Sequence, residues 1–166
     1  DITISCNKIQ VTAEQTIATF SSITNVGSLQ IDEYGTLISS QKNDMKNGVC
    51  RKKSVLQAND DFSESFKDLE KGKTYYVQAY AKLSNVTTMY SNIVEVVIPK
   101  LVINTGECDI LSSKTVQIYA EVQSLSFDAV TAYGFCWSAT TSQPDFNSEH
   151  VIWNKNLTLG TISTQA

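Results

Sequence analysis

Arginine and histidine are nearly absent from this sequence: Arg51 and His150 are the only ones. Proteins hold phosphate backbones with clustered cations. Here the net charge is −4, and no basic stripe extends beyond Arg51-Lys52-Lys53. That triplet reads as a solvated loop, and nucleic acid is not an expected partner. A lone imidazole also deprives nucleophilic catalysis of its usual base. There is no Gly-x-Ser-x-Gly elbow, and His150 reads as an ordinary strand or loop residue. The chain is therefore expected to be non-enzymatic, with no cofactor. No apolar run approaches the roughly 20 residues of a membrane span, so no span is expected. The chain opens at Asp1 without a targeting segment, as a mature or excised chain would, which fits export.

Cysteine is scarce as well. Cys6, Cys50, Cys108 and Cys136 show no CxxC spacing, so a zinc site is not expected. In an oxidising compartment they allow three pairings. Alternatively each is a small buried hydrophobe, a reading favoured by the apolar alternation around Cys136. Their disulfide state stays open. Asp60, Asp61 and Glu64 lie close together but lack the ordered Asp/Asn spacing and glycine of a calcium loop, and no metal is expected there. Asn85-Val86-Thr87 and Asn156-Leu157-Thr158 match the glycosylation sequon and read as polar loops or edges.

What is present is alternation. Ile17, Thr19, Ser21 and Ile23 fall on one face of a strand over Thr16–Val26. Tyr75, Val77, Ala79 and Ala81 alternate with Tyr76, Gln78, Tyr80 and Lys82. Val116, Ile118, Ala120 and Val122 alternate with Gln117, Tyr119, Glu121 and Gln123. Period two means one buried face and one wet face. Turn-rich stretches at Asn43–Gly48, Glu70–Lys73 and Ser84–Thr88 separate such runs. Several short strands at regular spacing predict an all-β sandwich or barrel.

The chain also repeats itself. At a spacing of 99, Ile17 meets Val116, Phe20 meets Tyr119 and Ile23 meets Val122, while Tyr34-Gly35 meets Tyr133-Gly134. That spacing is about the length of one immunoglobulin-class domain. Pro99 cannot donate a ladder hydrogen bond, and it marks the boundary between domains at 1–99 and 100–166.

Three motifs carry a family resemblance. Phe62–Leu69 followed by Gly72-Lys73-Thr74-Tyr75-Tyr76-Val77-Gln78-Ala79-Tyr80-Ala81 resembles the last third of the fibronectin type III-like domains found in tandem in secreted and surface proteins of Bacteroidetes. Tyr90-Ser91-Asn92 resembles the entry to their final strand. Tyr133-Gly134-Phe135-Cys136-Trp137-Ser138 resembles their central strand. Lys71 stands where the family usually has proline. The resemblance implies two tandem immunoglobulin/fibronectin type III-like sandwiches, with Tyr75 and Leu69 forming a tyrosine corner. In the first domain it implies strands A, B, C, E, F and G near Ile2–Val11, Thr16–Val26, Asp32–Ser40, Phe62–Leu69, Thr74–Leu83 and Ser91–Ile98. In the second it implies A, B and C near Val102–Ile110, Thr115–Leu125 and Thr131–Ala139, with one more strand near Glu149–Trp153. Strands E, F and G are expected to be lacking there, so the second sandwich is incomplete at its C-terminal end.

Aromatic residues supply the only candidate contacts. Trp153, Tyr76, Tyr80 and Tyr119 are candidates for touching a partner or a glycan, since aromatic faces suit sugar rings. Outward rows of this kind also brace cross-strand neighbours, and Trp137 reads as strand packing. Tyr75, Val77 and Ala79 are expected in the first core, and Val116, Ile118 and Cys136 in the second. The resemblance implies a structural or adhesive module of a secreted or cell-surface bacterial protein or filament. Its partners would be domains of the same or a neighbouring chain, including a possible homopolymer. A carbohydrate-binding or spacer module of a surface glycan-degrading system and a phage virion domain are the alternatives.

Overall fold

The computed structural model describes residues 2–12, 15–56, 60–84 and 87–166. Among these the fold is all-β, with one 3₁₀ turn at Met45–Asn47. The chain divides into two compact units, Asp1–Ile98 and Pro99–Ala166.

The first unit contains β1 (Thr3–Thr12), β2 (Thr16–Thr24), β3 (Ile31–Ser39), β4 (Val49–Leu56), β5 (Asp60–Phe66), β6 (Thr74–Leu83), β7 (Thr88–Tyr90) and β8 (Val94–Val97). One antiparallel sheet has the order β1-β2-β5. The other runs β4-β3-β6, with β7 and β8 both on the far edge of β6. The period-two patterns decide which sides meet. Ile17, Thr19, Ser21 and Ile23 of β2 are all buried, as are Tyr75, Val77, Ala79 and Ala81 of β6. Ile2, Ile23 and Phe62 pack with Ile31, Tyr34, Ala79 and Leu83 in one cluster, and Ile17 and Phe66 pack with Ile38, Tyr75, Val77 and Ile98 in another. Both clusters draw from both sheets, so the sheets face each other across a shared core. Each fully buried large side chain contributes about 1.5–3 kcal/mol.

Two expectations for this unit need correction. Arg51-Lys52-Lys53 is not a loop but the middle of β4. Strand geometry suits it because the long stems lie along the sheet while the cations find partners. Lys52 Nζ lies 3.7 Å from Glu33, Lys53 Nζ lies 3.6 Å from Glu64, and the Arg51 guanidinium sits 5.8 Å from the Phe66 ring centre. Charge on an edge strand also discourages pairing with other chains. The last strand, expected over Ser91–Ile98, is shortened to β8 (Val94–Val97), and a break separates it from β7, which lies before the expected range. Ser91 causes the break: its hydroxyl accepts the Ala79 N–H at 3.0 Å, replacing a ladder bond, while its own N–H donates to Ala79 O.

The second unit contains β9 (Val102–Ser112), β10 (Thr115–Ser124), β11 (Tyr133–Trp137), β12 (Glu149–Trp153) and β13 (Gly160–Gln165). Its sheets are β13-β10-β9 and β11-β12. The pairing copies the first unit. Ser21 faces Phe62 as Ala120 faces Ile162, and Tyr34 faces Lys53 as Tyr133 faces Trp153. Hence β10 and β11 follow β2 and β3 at a spacing of 99, and β12 and β13 follow β4 and β5 at 100. Strand E was expected to be lacking, but β13 takes on β10 the place that β5 takes on β2. It escaped the sequence reading because Ile162 is the only large apolar residue in Gly160–Gln165. Counterparts of β6, β7 and β8 do not occur within these residues.

Their absence explains the burial. Among the described residues of this unit only Ala120, Val122 and Leu157 are buried. Val116 and Ile118 are half-buried and Cys136 is exposed, contrary to the core expected of them. In the first unit the corresponding side of β3 is sealed by β6, which here has no equivalent.

Candidate functional site: the β11–β12 pair

Alternation gives this pair two chemically different faces. Tyr133, Phe135 and Trp137 stand opposite Trp153, Val151 and Glu149. The Trp153 ring centre lies 5.4 Å from that of Tyr133 and 5.9 Å from that of Phe135, edge-on to the latter. Lys155 Nζ lies 5.7 Å from the Trp153 ring centre and 5.9 Å from that of Tyr133, within cation–π reach. Trp137 Nε1 donates to Glu149 Oε2 at 2.8 Å. All three aromatic side chains of β11 remain half-exposed.

The other face carries Gly134 and Cys136 opposite Ile152 and His150. Phe146, from the β11–β12 connection, lies edge-on to His150 with ring centres 6.2 Å apart and is 78% exposed. The turn at Asp145 aims it there: Asp145 Oδ1 accepts the Asn147 N–H at 2.8 Å. A groove of about 320 Å³ follows β11, lined among others by Gly134, Cys136, Phe146 and Ile152. Gly134 is required for close strand approach, since a Cβ there would overlap the Val151 carbonyl oxygen. Gly35 meets the Arg51 carbonyl in the same way. The repeated Tyr-Gly therefore has one steric cause in both units.

The aromatic candidates read from the sequence are not gathered into one place. Trp153 belongs to the cluster just described. Tyr119, on β10, donates its hydroxyl to Asp109 Oδ2 at 2.8 Å, and that bond raises its pKa. Tyr76, in the first unit, is half-buried against the cluster of Leu37, Met45 and Tyr80. Tyr80 is corrected as a contact residue, because it is buried, only 5% exposed. Its hydroxyl donates to Glu33 Oε1 at 2.8 Å and lies 3.2 Å from Cys50 Sγ. Burial first, then those two bonds, pushes its pKa far above the usual tyrosine range. Sequence reasoning missed Phe146, Ile152 and Lys155. The exposed Phe within Asp145-Phe146-Asn147 was the available signal, since a large apolar residue in a polar turn needs a reason.

Tyr75 accepts the Glu70 N–H at 3.1 Å, and Leu69 packs beside it on the core. His150 is exposed, with Nδ1 2.8 Å from Ser148 O. All four cysteines are free; Cys108 and Cys136 are exposed and so are not the buried hydrophobes expected. Among the described residues no group of three or more His, Cys, Asp and Glu is placed to hold a metal, and no helix is long and apolar enough to cross a membrane. Asn85 and Val86, in the first sequon, lie outside the described residues. No known protein-family model and no curated protein matches the chain.

Proposed function

We propose that the chain is a non-catalytic structural module of a secreted or surface-displayed bacterial protein, built from fibronectin type III-like sandwiches in tandem, and that its role is mechanical: to space or join other domains. The observation that carries this reading is the repeat itself. The same five strands, pairings and Tyr-Gly close approach recur in both units, as in modular scaffolds assembled from copies of one domain. The Tyr75–Glu70 bond supports the fibronectin type III-like assignment, because a tyrosine corner ties its hydroxyl to backbone a few residues upstream. The exposed His150, held by a backbone carbonyl, has the environment of a surface residue. Stretching single molecules from both ends tests the proposal. The first unit should rupture in one cooperative step that releases roughly 3.3–3.6 Å of contour length per residue. Gradual yielding without a discrete rupture rules a mechanical role out.

A second reading, glycan binding, draws on Trp153, Tyr133 and Lys155, which present half-exposed rings beside a cation. It predicts saturable binding on a glycan array that Trp153→Ala abolishes.

A further inference from the structure

We infer that the outward face of the β1-β2-β5 sheet binds a neutral glycan, with one sugar ring stacked on Phe20 and its hydroxyls held by Asn7 and Asp61. This goes beyond the mechanical reading. It lies in the first unit and does not rest on the Trp153 surface of the second. A single exposed aromatic residue is ordinary, but Phe20 stands out for what surrounds it. It sits in the middle of the central strand, 42% exposed, opposite a β-bulge. Cys6 pairs with Ser21 and Lys8 with Phe20, which leaves Asn7 as an extra residue in β1. In a regular strand Asn7 and Lys8 would point to opposite sides, whereas a bulge re-aims side chains. Here both point outward. Asn7 Nδ2 donates to the Ser22 hydroxyl at 2.9 Å, and Lys8 Nζ lies 5.8 Å from the Phe20 ring centre. The second unit repeats the arrangement on its own sheet. Tyr119 takes the place of Phe20, and Ser163 faces it as Ser63 faces Phe20. Gly106 and Glu107 of β9 lie against Tyr119 alone, as a second bulge. The neighbours change, with Thr161 in the place of Asp61, while the aromatic, the bulge and the serine stay.

A hollow of about 290 Å³ opens beside the Phe20 ring, lined among others by Asn7, Asp61 and Ser63. It lies at the small end of ligand clefts, roughly 300–1,000 Å³, which suits a single pyranose. The lining has two halves. The phenyl ring offers a flat apolar wall to the C–H side of a sugar. Asp61 and Ser63 stand on the outward side of β5, and among the described residues neither side chain has a hydrogen bond or ion pair. The Asp61 carboxylate can therefore accept from two adjacent sugar hydroxyls, through charge-assisted bonds. Asn7 is oriented by its bond to Ser22, which leaves the amide oxygen as a further acceptor, and Ser63 can donate or accept. Lys8 and Asp61 offset each other in charge, which favours a neutral sugar over an ionic one. An apolar wall with a few placed polar groups is what fixes a ligand in a cleft.

The test titrates the whole 166-residue chain, isotopically labelled, with neutral hexasaccharides of glucose, mannose and galactose, and follows the backbone amide shifts. At least one sugar should give saturable shifts at Asn7, Lys8, Phe20 and Asp61, at millimolar concentration or below. Phe20→Leu keeps an apolar residue but removes the flat wall. It should weaken binding about tenfold or more, as loss of an aromatic anchor does. Phe20→Tyr, which copies the second unit, should keep binding. Asp61→Asn removes the charge from the hydroxyl acceptor and should weaken binding by up to about tenfold. Both side chains are exposed, and amide protection of Ile17–Ile23 checks that each variant is folded. If Phe20→Leu loses that protection, Asp61→Asn decides. Trp153→Ala should leave these shifts as they are. Three outcomes overturn the inference: no saturable shift at those residues with any of the three sugars, shifts that persist at full affinity in folded Phe20→Leu or in Asp61→Asn, or shifts confined to the second unit, which would leave the Trp153 reading standing alone.

Discussion

Ile23 and Val122 hold matching places in β2 and β10, and both are sealed, at 0% and 1% exposure. Ile17 and Val116 also match, yet only Ile17 is buried. Over Ile17 lie Ile38, Tyr75, Val77 and Ile98. Of those four, the last three come from β6 and the chain that follows it, for which the second unit has no counterpart. Pairing along a sheet is thus reproduced with five strands, whereas burial across the sandwich is not. A strand forms when its neighbour supplies a ladder. Its apolar side is dried only when a second layer covers it.

The sharpest way to break this comparison is through the two glycines. A Cβ at Gly35 overlaps the Arg51 carbonyl and one at Gly134 overlaps the Val151 carbonyl. But β3 is held from both sides, while β11 can move away from β12. Gly35→Ala should therefore cost about 3 kcal/mol, at the upper end of single substitutions, and Gly134→Ala about half of that. Both tryptophans, Trp137 and Trp153, lie in the second unit. Urea unfolding followed by tryptophan fluorescence thus reads that unit alone, and far-ultraviolet circular dichroism reads both. Equal costs would mean that β11 is as confined as β3.

Much of the fold was legible because period two is a strong signal where one side is buried. Thr16–Thr24 and Thr74–Leu83 were read nearly to their ends. Two missed strands share one physical origin: strands whose side chains are mostly polar carry no alternation to read. β4 holds Arg51-Lys52-Lys53 and β13 holds Thr161, Ser163 and Thr164, and both are strands because a neighbour pairs with them. The candidate site was less legible. Trp153 stood out by type, but its joining with Tyr133, Phe135 and Lys155 depends on the β11–β12 register. Tyr80 looked available because it alternates outward. It is covered because the β3–β4 connection brings Met45 over it.

Alkaline pH should separate the units further. Burial and the bonds to Glu33 and Cys50 raise the Tyr80 pKa in the folded chain above its ordinary value of 10.0, and Tyr34 is raised by burial and by Asp60. Once unfolded, these phenols ionise near the ordinary value. Their stabilising contribution is whole below that pH. It is lost as pH climbs from there toward the folded-state pKa, by at most about 1.4 kcal/mol per pH unit for each group. The first unit should weaken steeply above about pH 10, and Tyr80→Phe should make that decline shallower. An unchanged slope in the variant, measured from urea midpoints across the range, would show that Tyr80 ionises freely in the folded unit.

The smallest expected effect concerns Thr36, whose place in the second unit is taken by Phe135. Thr36 is fully buried, and among the described residues its hydroxyl has no hydrogen-bond partner. A buried hydroxyl without a partner costs about 1–3 kcal/mol by mutational measures. Valine keeps the branched shape and removes the oxygen. Thr36→Val should therefore raise first-unit stability by about 1 kcal/mol, seen as a higher urea midpoint at unchanged slope. Thr19 provides the control. It is equally buried, but its hydroxyl donates to Glu64 O at 3.4 Å. Thr19→Val leaves that carbonyl with one bond fewer, so it should be neutral or cost up to about 1 kcal/mol. If both substitutions stabilise equally, the Thr19 bond contributes nothing. If Thr36→Val destabilises, the hydroxyl has a partner in solution, and β3 is polar at its centre for a reason that β11 has lost.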